Sequence, residues 1–320
     1  MLFLVSSMKF GYFVRSTVFT YPEVRDLSIK VDNLGFDSIH VNDHFLGMDT
    51  RQDRREPMLD AIMLLTALAV ETKKVKLGQI VLCNSFRNPA YLAKMISTLD
   101  NISNGRALLW IGAGWFEEEY KAYGYPFPSP KRRVDELEES LIIYKKIFTE
   151  EVTDFEGKFW KLVKHRNFPK PIQKPYPQLI VGTTGKRMID IACREVDGVN
   201  LDLWYRPNIE ELPTRIAYIN ERLKKHNRDP SEFEISLFAM MTLVKSQEKR
   251  DDLVERIIKS YPEGKKPTRE HVLKNHYVGF PEDIKEKIKI LENMGIKQIV
   301  LWLRRSDFED SIETFSKKVM

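Results

Sequence analysis

Cysteine is scarce in this 320-residue sequence, which contains only Cys83 and Cys193. Two cysteines cannot build a disulfide framework, and their scarcity indicates a reducing compartment. Long apolar runs are also missing, since none approaches the roughly 20 residues that a membrane-spanning helix needs. The opening MLFLVSS is too short and uncharged for a secretory signal peptide, and a better strand begins at Met8. We therefore expect a soluble cytoplasmic protein in which Met1–Ser7 is an extension from an upstream start.

Signatures of several ligand classes are absent as well. The net charge is +5, from 51 basic and 46 acidic residues, and no basic stripe is interleaved with aromatic residues. This balance argues against nucleic-acid binding and suits an anionic small molecule. His40 and His44 have the spacing of helical metal ligands, but they lie in a predicted strand, where four residues span about 13 Å. Because there is no H-E-x-x-H motif either, we expect no metal site.

Apolar runs of strand length alternate with segments of helical periodicity along the chain. The predicted strands are Lys9–Phe13, Ser38–Asn42, Val75–Leu82, Ala107–Ile111, Leu179–Gly182, Gly198–Leu201, Glu234–Val244 and Gln298–Leu303. The predicted helices are Pro22–Leu34, Pro57–Thr72, Pro89–Ile102, Arg132–Phe148, Lys186–Arg194, Ile209–His226, Gln247–Lys259 and Pro281–Met294. Eight such units predict an α/β fold, a (β/α)8 TIM barrel formed by one domain over residues 1–320. The alternative is an open doubly wound sheet. It is disfavoured because the first βα turn, Phe13–Thr20, lacks the G-x-G-x-x-G sequence that cradles a dinucleotide.

Two segments interrupt this pattern and predict insertions after the fourth and seventh strands. The first, Thr149–Gln178, contains FEGKFW at Phe155–Trp160, which predicts a small hairpin, and then the proline-rich stretch Pro169–Pro177. The second spans Pro262–Tyr277 and is predicted to be irregular. Long excursions from a compact barrel are usually lids or disordered segments, and we favour lids.

Polar residues follow the second predicted strand, at the edge where barrel enzymes carry their active sites. Asp43 directly precedes His44 at this point. A carboxylate beside a histidine can tune the imidazole and present it as a general acid or base. The same residues also suit an ordinary polar turn in which His44 is hydrogen-bonded locally, and spacing alone does not separate the two interpretations.

Glycine-containing turns follow the fourth and fifth predicted strands. Gly112–Trp115 would let a ligand approach the backbone closely, and the acids Glu117–Glu119 come soon after it. The alternative there is a tight turn before an acidic helix start. Gly182–Arg187 combines a helix N-terminus, two hydroxyls and a Lys-Arg pair, which favours a phosphate site without the glycine spacing of a P-loop. The alternative there is a glycine-bounded turn before a solvated basic helix.

Taken together, these positions resemble the luciferase-like flavin and deazaflavin oxidoreductases. The matching segments cover about the first two-thirds of the chain and include GFDSIHVNDHF, PMLDA, LGQIVL, FRNPAYLAKMISTLDNISNGR, IGAGWFEEEYKAYG, FEGKFW, IVGTTG and DGVN. A weaker match follows at GFPEDIKEKIKILENMGIKQIVL. The DHF, LG-x-x-V and G-x-G-W-x-E-E-E-Y sequences look most like the branch that uses the deazaflavin coenzyme F420.

The resemblance implies where a coenzyme would bind. The tricyclic ring is expected in the barrel mouth, against a strand bulge that contains a cis peptide bond between Ile80 and Val81. The resemblance further implies that Asp43 contacts the ring and that His44 is a catalytic, proton-handling residue. Other ring or tail contacts are implied at Cys83, Ala113, Gly114 and Glu118. The turn that holds the coenzyme phosphate is implied at Gly182, Thr183, Thr184, Gly185 and Lys186, and we expect Arg187 to assist there.

One departure from the family pattern bears on the substrate. Sugar-phosphate dehydrogenases of the family carry a catalytic glutamate where this chain has Trp115, so glucose 6-phosphate is a poor substrate candidate. We expect Trp115, Tyr12 and Phe13 to shape an apolar substrate pocket. The main substrate determinants are expected in Gly47–Arg55, Thr149–Gln178 and Pro262–Tyr277.

The expected function is F420-dependent oxidoreduction, in which a hydride moves between C5 of the deazaflavin and a small organic molecule. The alternatives are an FMN-dependent monooxygenase and a non-catalytic coenzyme carrier. The helices Pro57–Thr72 and Pro89–Ile102 are apolar on more than one face, and we therefore also expect a homodimer. No nucleic-acid or membrane partner is expected.

Overall fold

The computed structural model describes residues 8–15, 20–47, 58–202, 209–303 and 311–320. The expected extension Met1–Ser7 and most of the segment Gly47–Arg55 therefore lie outside the described residues.

The elements alternate along the chain as the apolar pattern predicts. The strands are β1 Lys9–Phe13, β2 Ser38–Val41, β3 Lys76–Gln79, β4 Leu82–Cys83, β5 Leu109–Gly112, β6 Thr153–Glu156, β7 Lys161–His165, β8 Leu179–Gly182, β9 Gly198–Asp202, β10 Glu234–Leu243, β11 Tyr277–Gly279 and β12 Gln298–Leu303. The helices are α1 Tyr21–Asn33, α2 Ala61–Glu71, α3 Pro89–Ile102, α4 Glu117–Ala122, α5 Pro130–Thr149, α6 Lys186–Glu195, α7 Leu212–Lys225, α8 Gln247–Ser260, α9 Arg269–Asn275, α10 Pro281–Asn293 and α11 Ser311–Lys318. Of these helices, none is both long and apolar enough to cross a membrane.

One parallel sheet runs through the described part of the chain in the order β3-β2-β1-β12-β10-β9-β8-β5-β4. Its two edges meet where a parallel bridge joins Leu77 to Ala107. β3 and β4 are two halves of one segment, since β3 pairs with β2 and β4 pairs with β5. The predicted (β/α)8 barrel is confirmed, with β3–β4 as its third strand and β5, β8, β9, β10 and β12 as the fourth to eighth.

Insertions follow the fourth and seventh barrel strands, as predicted. After β5 come α4, α5 and the antiparallel hairpin β6–β7, and the proline-rich stretch contains cis bonds at Phe168–Pro169 and Lys174–Pro175. After β10 come α8, α9 and β11, and β11 pairs in parallel with the end of β10. The prediction that Pro262–Tyr277 is irregular is wrong. The Thr268 hydroxyl accepts the N–H of His271 and begins α9.

The start of the second predicted helix is also wrong. The prediction begins this helix at Pro57, whereas α2 begins at Ala61. Asp60 is the N-cap, and its side chain accepts the N–H of Met63 at 2.9 Å. An aspartate cap of this kind satisfies an N–H group that has no partner inside the helix, which sets the boundary.

Alternation of side chains along the strands divides the core into two parts. Outward-facing residues pack against the helices, as Phe10 packs edge-on against Phe315 with the ring centroids 5.3 Å apart. Inward-facing residues fill the barrel with an apolar cluster of Phe13, Leu108, Trp110, Ile180, Phe238 and Val300. The barrel is therefore a packed core, and ligands can reach it only at its ends.

A polar layer lies beneath this cluster, toward the starts of the strands. His40 is fully buried, with Nε2 3.0 Å from Ser38 Oγ and its ring 4.4 Å from the Trp110 ring. The Gln298 amide donates to the same Ser38 hydroxyl at 2.8 Å. Burial lowers the pKa of His40 to about 4, so its imidazole is neutral near pH 7. We interpret His40 as a packing residue of the barrel.

Candidate active site

The bulge between β3 and β4 forms the floor of the barrel mouth. The peptide bond between Ile80 and Val81 is cis, as predicted from the resemblance. The Val81 side chain lies against two glycines of neighbouring strands. A Cβ atom at Gly112 would lie 2.9 Å from a Val81 methyl carbon, and a Cβ atom at Gly182 would lie 2.7 Å from the other. Both glycines therefore leave space for Val81, and three predicted site segments meet at this point.

Asp43 follows β2 and is held in a buried ion pair. Its two oxygens accept from Arg87 Nη1 at 2.7 Å and Arg87 Nη2 at 2.8 Å, and Oδ2 also accepts the Cys83 N–H at 2.9 Å. Burial by itself lowers the pKa of Arg87, but the hydrogen bonds and charge of Asp43 raise it above its ordinary value overall. Asp43 thus joins the end of β2 to β4, directly after the bulge, and to Arg87 a few residues further along the chain.

His44 has a carboxylate partner, but it is not the neighbouring Asp43. His44 Nδ1 lies 2.9 Å from Oε2 of Glu119, a residue of α4 whose side chain is 1% exposed. The other oxygen, Oε1, accepts the backbone N–H groups of Phe45 at 2.8 Å and Leu46 at 2.9 Å. The interpretation that Asp43 tunes His44 is therefore wrong. Asp43 and His44 both follow the end of β2, but Asp43 is bound to Arg87 and His44 to Glu119.

The acidic side chains of α4 also point in different directions. Glu118 is exposed and Glu119 is buried, because neighbouring residues on a helix lie about 100° apart around its axis. Among the acids of this segment, the structure brings Glu119 to His44. The edge of the Trp115 ring faces the imidazole at a centroid distance of 5.8 Å, and the Trp115 side chain is 62% exposed at the rim of the mouth.

Cys83 and Gly114 are packed against Tyr120. Cys83 Sγ lies 3.1 Å from the Tyr120 hydroxyl, and burial raises the pKa of the Cys83 thiol to about 11. The thiol is therefore protonated near pH 7 and is a poor nucleophile. Gly114 has φ +79°, and a Cβ atom there would lie 2.6 Å from Cys83 Sγ and closer still to the Tyr120 hydroxyl. Ala113, just before it, is partly exposed.

The predicted phosphate turn lies between β8 and α6. Gly185 is the N-cap of α6, no side chain caps the helix, and Thr183 Oγ1 accepts the Gly185 N–H at 3.0 Å. Thr184, Gly185 and Lys186 are exposed, and Lys186 Nζ lies 5.7 Å from the centre of the Tyr218 ring. An uncapped helix start with nearby cations is suited to an anion.

Two arginines near this turn depart from the prediction. Arg187 turns away toward α5, where it forms ion pairs with Asp135 and Glu138. Hydrogen bonds from Lys131 and Arg187 lower the pKa of Asp135 to about 2. Arg215 of α7, absent from the prediction, donates to Thr184 O at 3.1 Å. Arg215 therefore contacts the predicted turn, whereas Arg187 joins α6 to α5.

One wall of the mouth is aromatic, and only part of it is as predicted. Phe13 faces the barrel interior, with its ring centroid 6.3 Å from that of Trp302. Arg15 lies over Trp302, with its guanidinium carbon 5.4 Å from the ring centre. Tyr12 faces outward, 5.9 Å from Phe36 between centroids, and is buried. The expectation that Tyr12 lines the substrate pocket is therefore wrong, because consecutive strand residues such as Tyr12 and Phe13 point to opposite faces.

Arg15, Arg87, Arg215 and Trp302 are thus absent from the predicted site, and Glu119 was predicted there only as one of the acids Glu117–Glu119. The sequence contains a pattern that could have indicated Glu119, since helical periodicity through Glu117–Tyr120 places only some of these residues on the inner face of the helix. The other four residues contact partners that are distant in sequence. Within the described ranges, no group of three or more histidine, cysteine, aspartate or glutamate side chains could hold a metal ion.

A parallel barrel that gathers a carboxylate-bound histidine and two glycine turns at the ends of its strands has the layout of a (β/α)8 barrel enzyme. A family model described as luciferase-like monooxygenase matches residues 8–298. The chain belongs to this luciferase-like family.

The relatives divide by coenzyme. The F420-dependent glucose-6-phosphate dehydrogenase of Amycolatopsis mediterranei is 30% identical over 192 residues, which are 60% of this chain and 56% of that protein. The chain therefore spans little more than half the length of this relative. The FMNH(2)-dependent dimethylsulfone monooxygenase of Pseudomonas putida is 25% identical over 290 residues, 82% of this chain and 77% of that protein.

A solved structure supports the fold. An F420-dependent secondary alcohol dehydrogenase in complex with an F420-acetone adduct superposes with a TM-score of 0.82 at 20% identity, over 98% of each chain. At this identity the likeness establishes a shared architecture.

Proposed function

We propose that the chain is an F420-dependent oxidoreductase that moves a hydride between the deazaflavin and a small organic substrate. One observation carries the proposal. The Val81 side chain packs against the glycines at 112 and 182, and the chain runs from Gly182 directly into the uncapped start of α6. A planar ring and a phosphate are the two parts of a ligand that such a surface suits.

The residues at this surface fit the coenzyme. Ile80 and Val81 are partly exposed apolar residues, and Gly112 and Gly182 add no side chain that would lift a ring from the floor. The backbone of 182–185, with Lys186 and Arg215, would hold the phosphate. When bound, the deazaflavin supplies hydride chemistry at C5. The protein supplies orientation and a proton-handling group.

His44 is the group that we assign to the substrate proton. Its Nδ1 is occupied by Glu119, so Nε2 is the nitrogen left to face a substrate oxygen. Asp43, ion-paired to Arg87, fixes β4 and the bulge on which the ring would rest. Phe13, Trp115 and Trp302 would exclude water from the reacting atoms.

The substrate is unlike a sugar phosphate in our proposal. Trp115 occupies the position at which, by resemblance, the sugar-phosphate dehydrogenases carry a catalytic glutamate. An indole that is 62% exposed beside His44 offers an apolar surface and, unlike a glutamate, no acid or base. We therefore propose small, largely apolar alcohols or ketones as the first substrates to screen, with glucose 6-phosphate as a comparison.

Coenzyme choice tests the proposed function directly. We expect purified protein to bind F420 more tightly than FMN in equilibrium fluorescence titrations, and to reduce F420 with at least one alcohol in the screen. The relative from Pseudomonas putida favours the alternative, an FMN-dependent monooxygenase. Tighter FMN binding with FMN-dependent oxygen consumption would establish that alternative instead. Binding of F420 without turnover of any substrate would indicate a carrier.

The phosphate turn gives a second prediction. Lys186→Ala should weaken F420 binding about tenfold or more, because a charge-assisted hydrogen bond contributes about 1.5–3 kcal/mol. Arg187→Ala is the matched control and should leave the F420 Kd unchanged, since that guanidinium is paired with Asp135 and Glu138. Fluorescence titration at two salt concentrations measures both. If the Kd of Lys186→Ala equals that of the wild type and does not change with salt, Lys186 does not bind the phosphate and the start of α6 is only a solvated basic helix end.

We also propose that residues 1–320 form one domain, that the protein is cytoplasmic and that it is a homodimer. Both cysteines are free and buried, which a reducing compartment permits. The dimer proposal rests on α2 and α3, which carry large exposed apolar side chains: Met63 at 72%, Val70 at 60% and Tyr91 at 60%. Such side chains on adjacent helices favour burial against a second copy.

Light scattering would test the dimer. The double variant Met63→Glu, Val70→Glu should convert a wild-type dimer to monomers, because an interface core disfavours unpaired charges. Ile290→Glu, which places a charge at an exposed apolar position of α10, should leave the mass unchanged. A monomeric wild type would exclude the dimer.

A further inference from the structure

We propose that Glu119 is a positioning residue that holds the neutral imidazole of His44 in its Nδ1–H tautomer and leaves Nε2 as a proton acceptor at the barrel mouth. This proposal rests on the proposed function, in which His44 acts on the substrate. It goes beyond that function because it assigns the resting tautomer and the residue that sets it.

The hydrogen-bond pattern around Glu119 determines the tautomer. Oε1 accepts two backbone N–H groups, from Phe45 and Leu46. Oε2 lies 2.9 Å from His44 Nδ1. An ionised carboxylate only accepts hydrogen bonds, so Nδ1 must donate. In a neutral imidazole the single ring proton is then on Nδ1, and Nε2 carries a lone pair.

Glu119 also fixes the position of the ring. Its carboxylate is almost fully buried and binds both the imidazole and the backbone of the loop that follows it. Trp115 and Phe116 flank the imidazole edge-on, with centroids at 5.8 and 6.1 Å. One side chain of α4 therefore couples the end of β2 to the segment after β5.

The tautomer has a consequence for the reaction. When a secondary alcohol is oxidised, its C–H bond would break and the bound oxidised deazaflavin would take up the hydride with its two electrons. Its O–H bond breaks as well, and Nε2 of His44 takes that proton, which leaves a ketone and an imidazolium paired with Glu119. In reverse, the imidazolium returns the proton from Nε2. The opposite tautomer, with Nε2–H, could not accept the alcohol proton.

Glu119→Gln inverts the tautomer in this scheme. The amide oxygen can replace Oε1 as acceptor for Phe45 and Leu46. The amide NH2 then faces Nδ1 and can only donate, so Nδ1 must accept and the ring proton moves to Nε2. Glu118→Gln is the matched control, since this neighbouring acid is exposed and should leave the tautomer unchanged.

Long-range proton–nitrogen NMR on full-length protein labelled with ¹⁵N-histidine would test this. His44 is assigned by the signals that are lost in His44→Asn. At a pH at which the ring is neutral, the wild type and Glu118→Gln should show Nδ1–H, and Glu119→Gln should show Nε2–H. With a substrate from the screen, Glu119→Gln should lower kcat by about 10²-fold or more, the typical loss for a disabled general base, with little change in the F420 Kd.

An Nε2–H tautomer in the wild type would overturn the proposal, and so would an unchanged tautomer in Glu119→Gln. If Glu119→Gln fails to fold, the wild-type spectrum alone still decides, because an Nε2–H ring cannot donate from Nδ1. The spectra need neither coenzyme nor substrate. Failure of this inference is therefore separate from failure of the F420 titration, which would overturn the proposed function and leave the tautomer intact.

Discussion

Replacing His44 by asparagine should lower kcat by about 10²–10⁴-fold, the usual contribution of a general acid or base. The F420 Kd should be nearly unchanged, because we assign His44 to the substrate proton and not to coenzyme binding. Asparagine fills part of the space beside Trp115 but cannot take up a proton at the position of Nε2. Steady-state kinetics with the best substrate of the screen, together with coenzyme titration, measures both quantities.

His226→Asn is the control for this variant. His226 follows the end of α7 and is paired with Asp190 of α6 at 3.0 Å. Because helices of a barrel run opposite to its strands, the end of α7 lies at the edge away from the mouth. We expect wild-type kcat for this variant. A weakened F420 Kd with unchanged kcat in His44→Asn would mean that His44 binds the coenzyme. No effect on either quantity would place the chemistry elsewhere in the mouth.

Replacing Asp43 by asparagine should lower the free energy of unfolding by about 3–5 kcal/mol, since it leaves the charge of Arg87 without its buried partner. The side chains of Asp43 and Arg87 are only 2% and 9% exposed, so water cannot substitute for the lost carboxylate. The same change should weaken F420 binding, because Asp43 also holds the Cys83 N–H beside the bulge. Denaturant unfolding and coenzyme titration would measure the two effects.

An exposed ion pair provides the comparison. Glu151 pairs with Arg166 at 2.9 Å, but the two side chains are 75% and 57% exposed. Glu151→Gln should therefore change the free energy of unfolding by no more than about 1 kcal/mol. A loss of that small size for Asp43→Asn as well would show that Asp60, 3.4 Å from Arg87 Nη2, compensates fully for the missing charge.

Most of the fold could be predicted because buried parallel strands are continuous apolar runs. All eight barrel strands are present close to their predicted positions, from Lys9–Phe13 to Gln298–Leu303. The third differs, since the run Val75–Leu82 divides into β3 and β4. An apolar run indicates that a segment is buried, but not where its backbone changes direction. The pattern therefore could not predict the bulge. Only the family resemblance predicted it at Ile80–Val81.

The sequence predicted which positions lie at the site, but not which side chains pair with one another. Strand ends located Asp43, His44 and the glycine turns correctly at one edge of the barrel. Which carboxylate binds His44 depends on side-chain direction and on a helix, α4, whose length the sequence pattern did not establish. The prediction therefore assigned Asp43 as the carboxylate beside His44, whereas the structure pairs His44 with Glu119.

Val81 and the glycines at 112 and 182 carry an evolutionary consequence. These positions lie in three segments that are far apart in sequence, yet a Cβ atom at either glycine would meet the Val81 side chain within 2.9 Å. A side chain at 112 or 182 therefore requires a smaller residue at 81, and we expect such substitutions to occur together. In descendants of this barrel, an alanine at 112 or 182 should be accompanied by a smaller residue at 81.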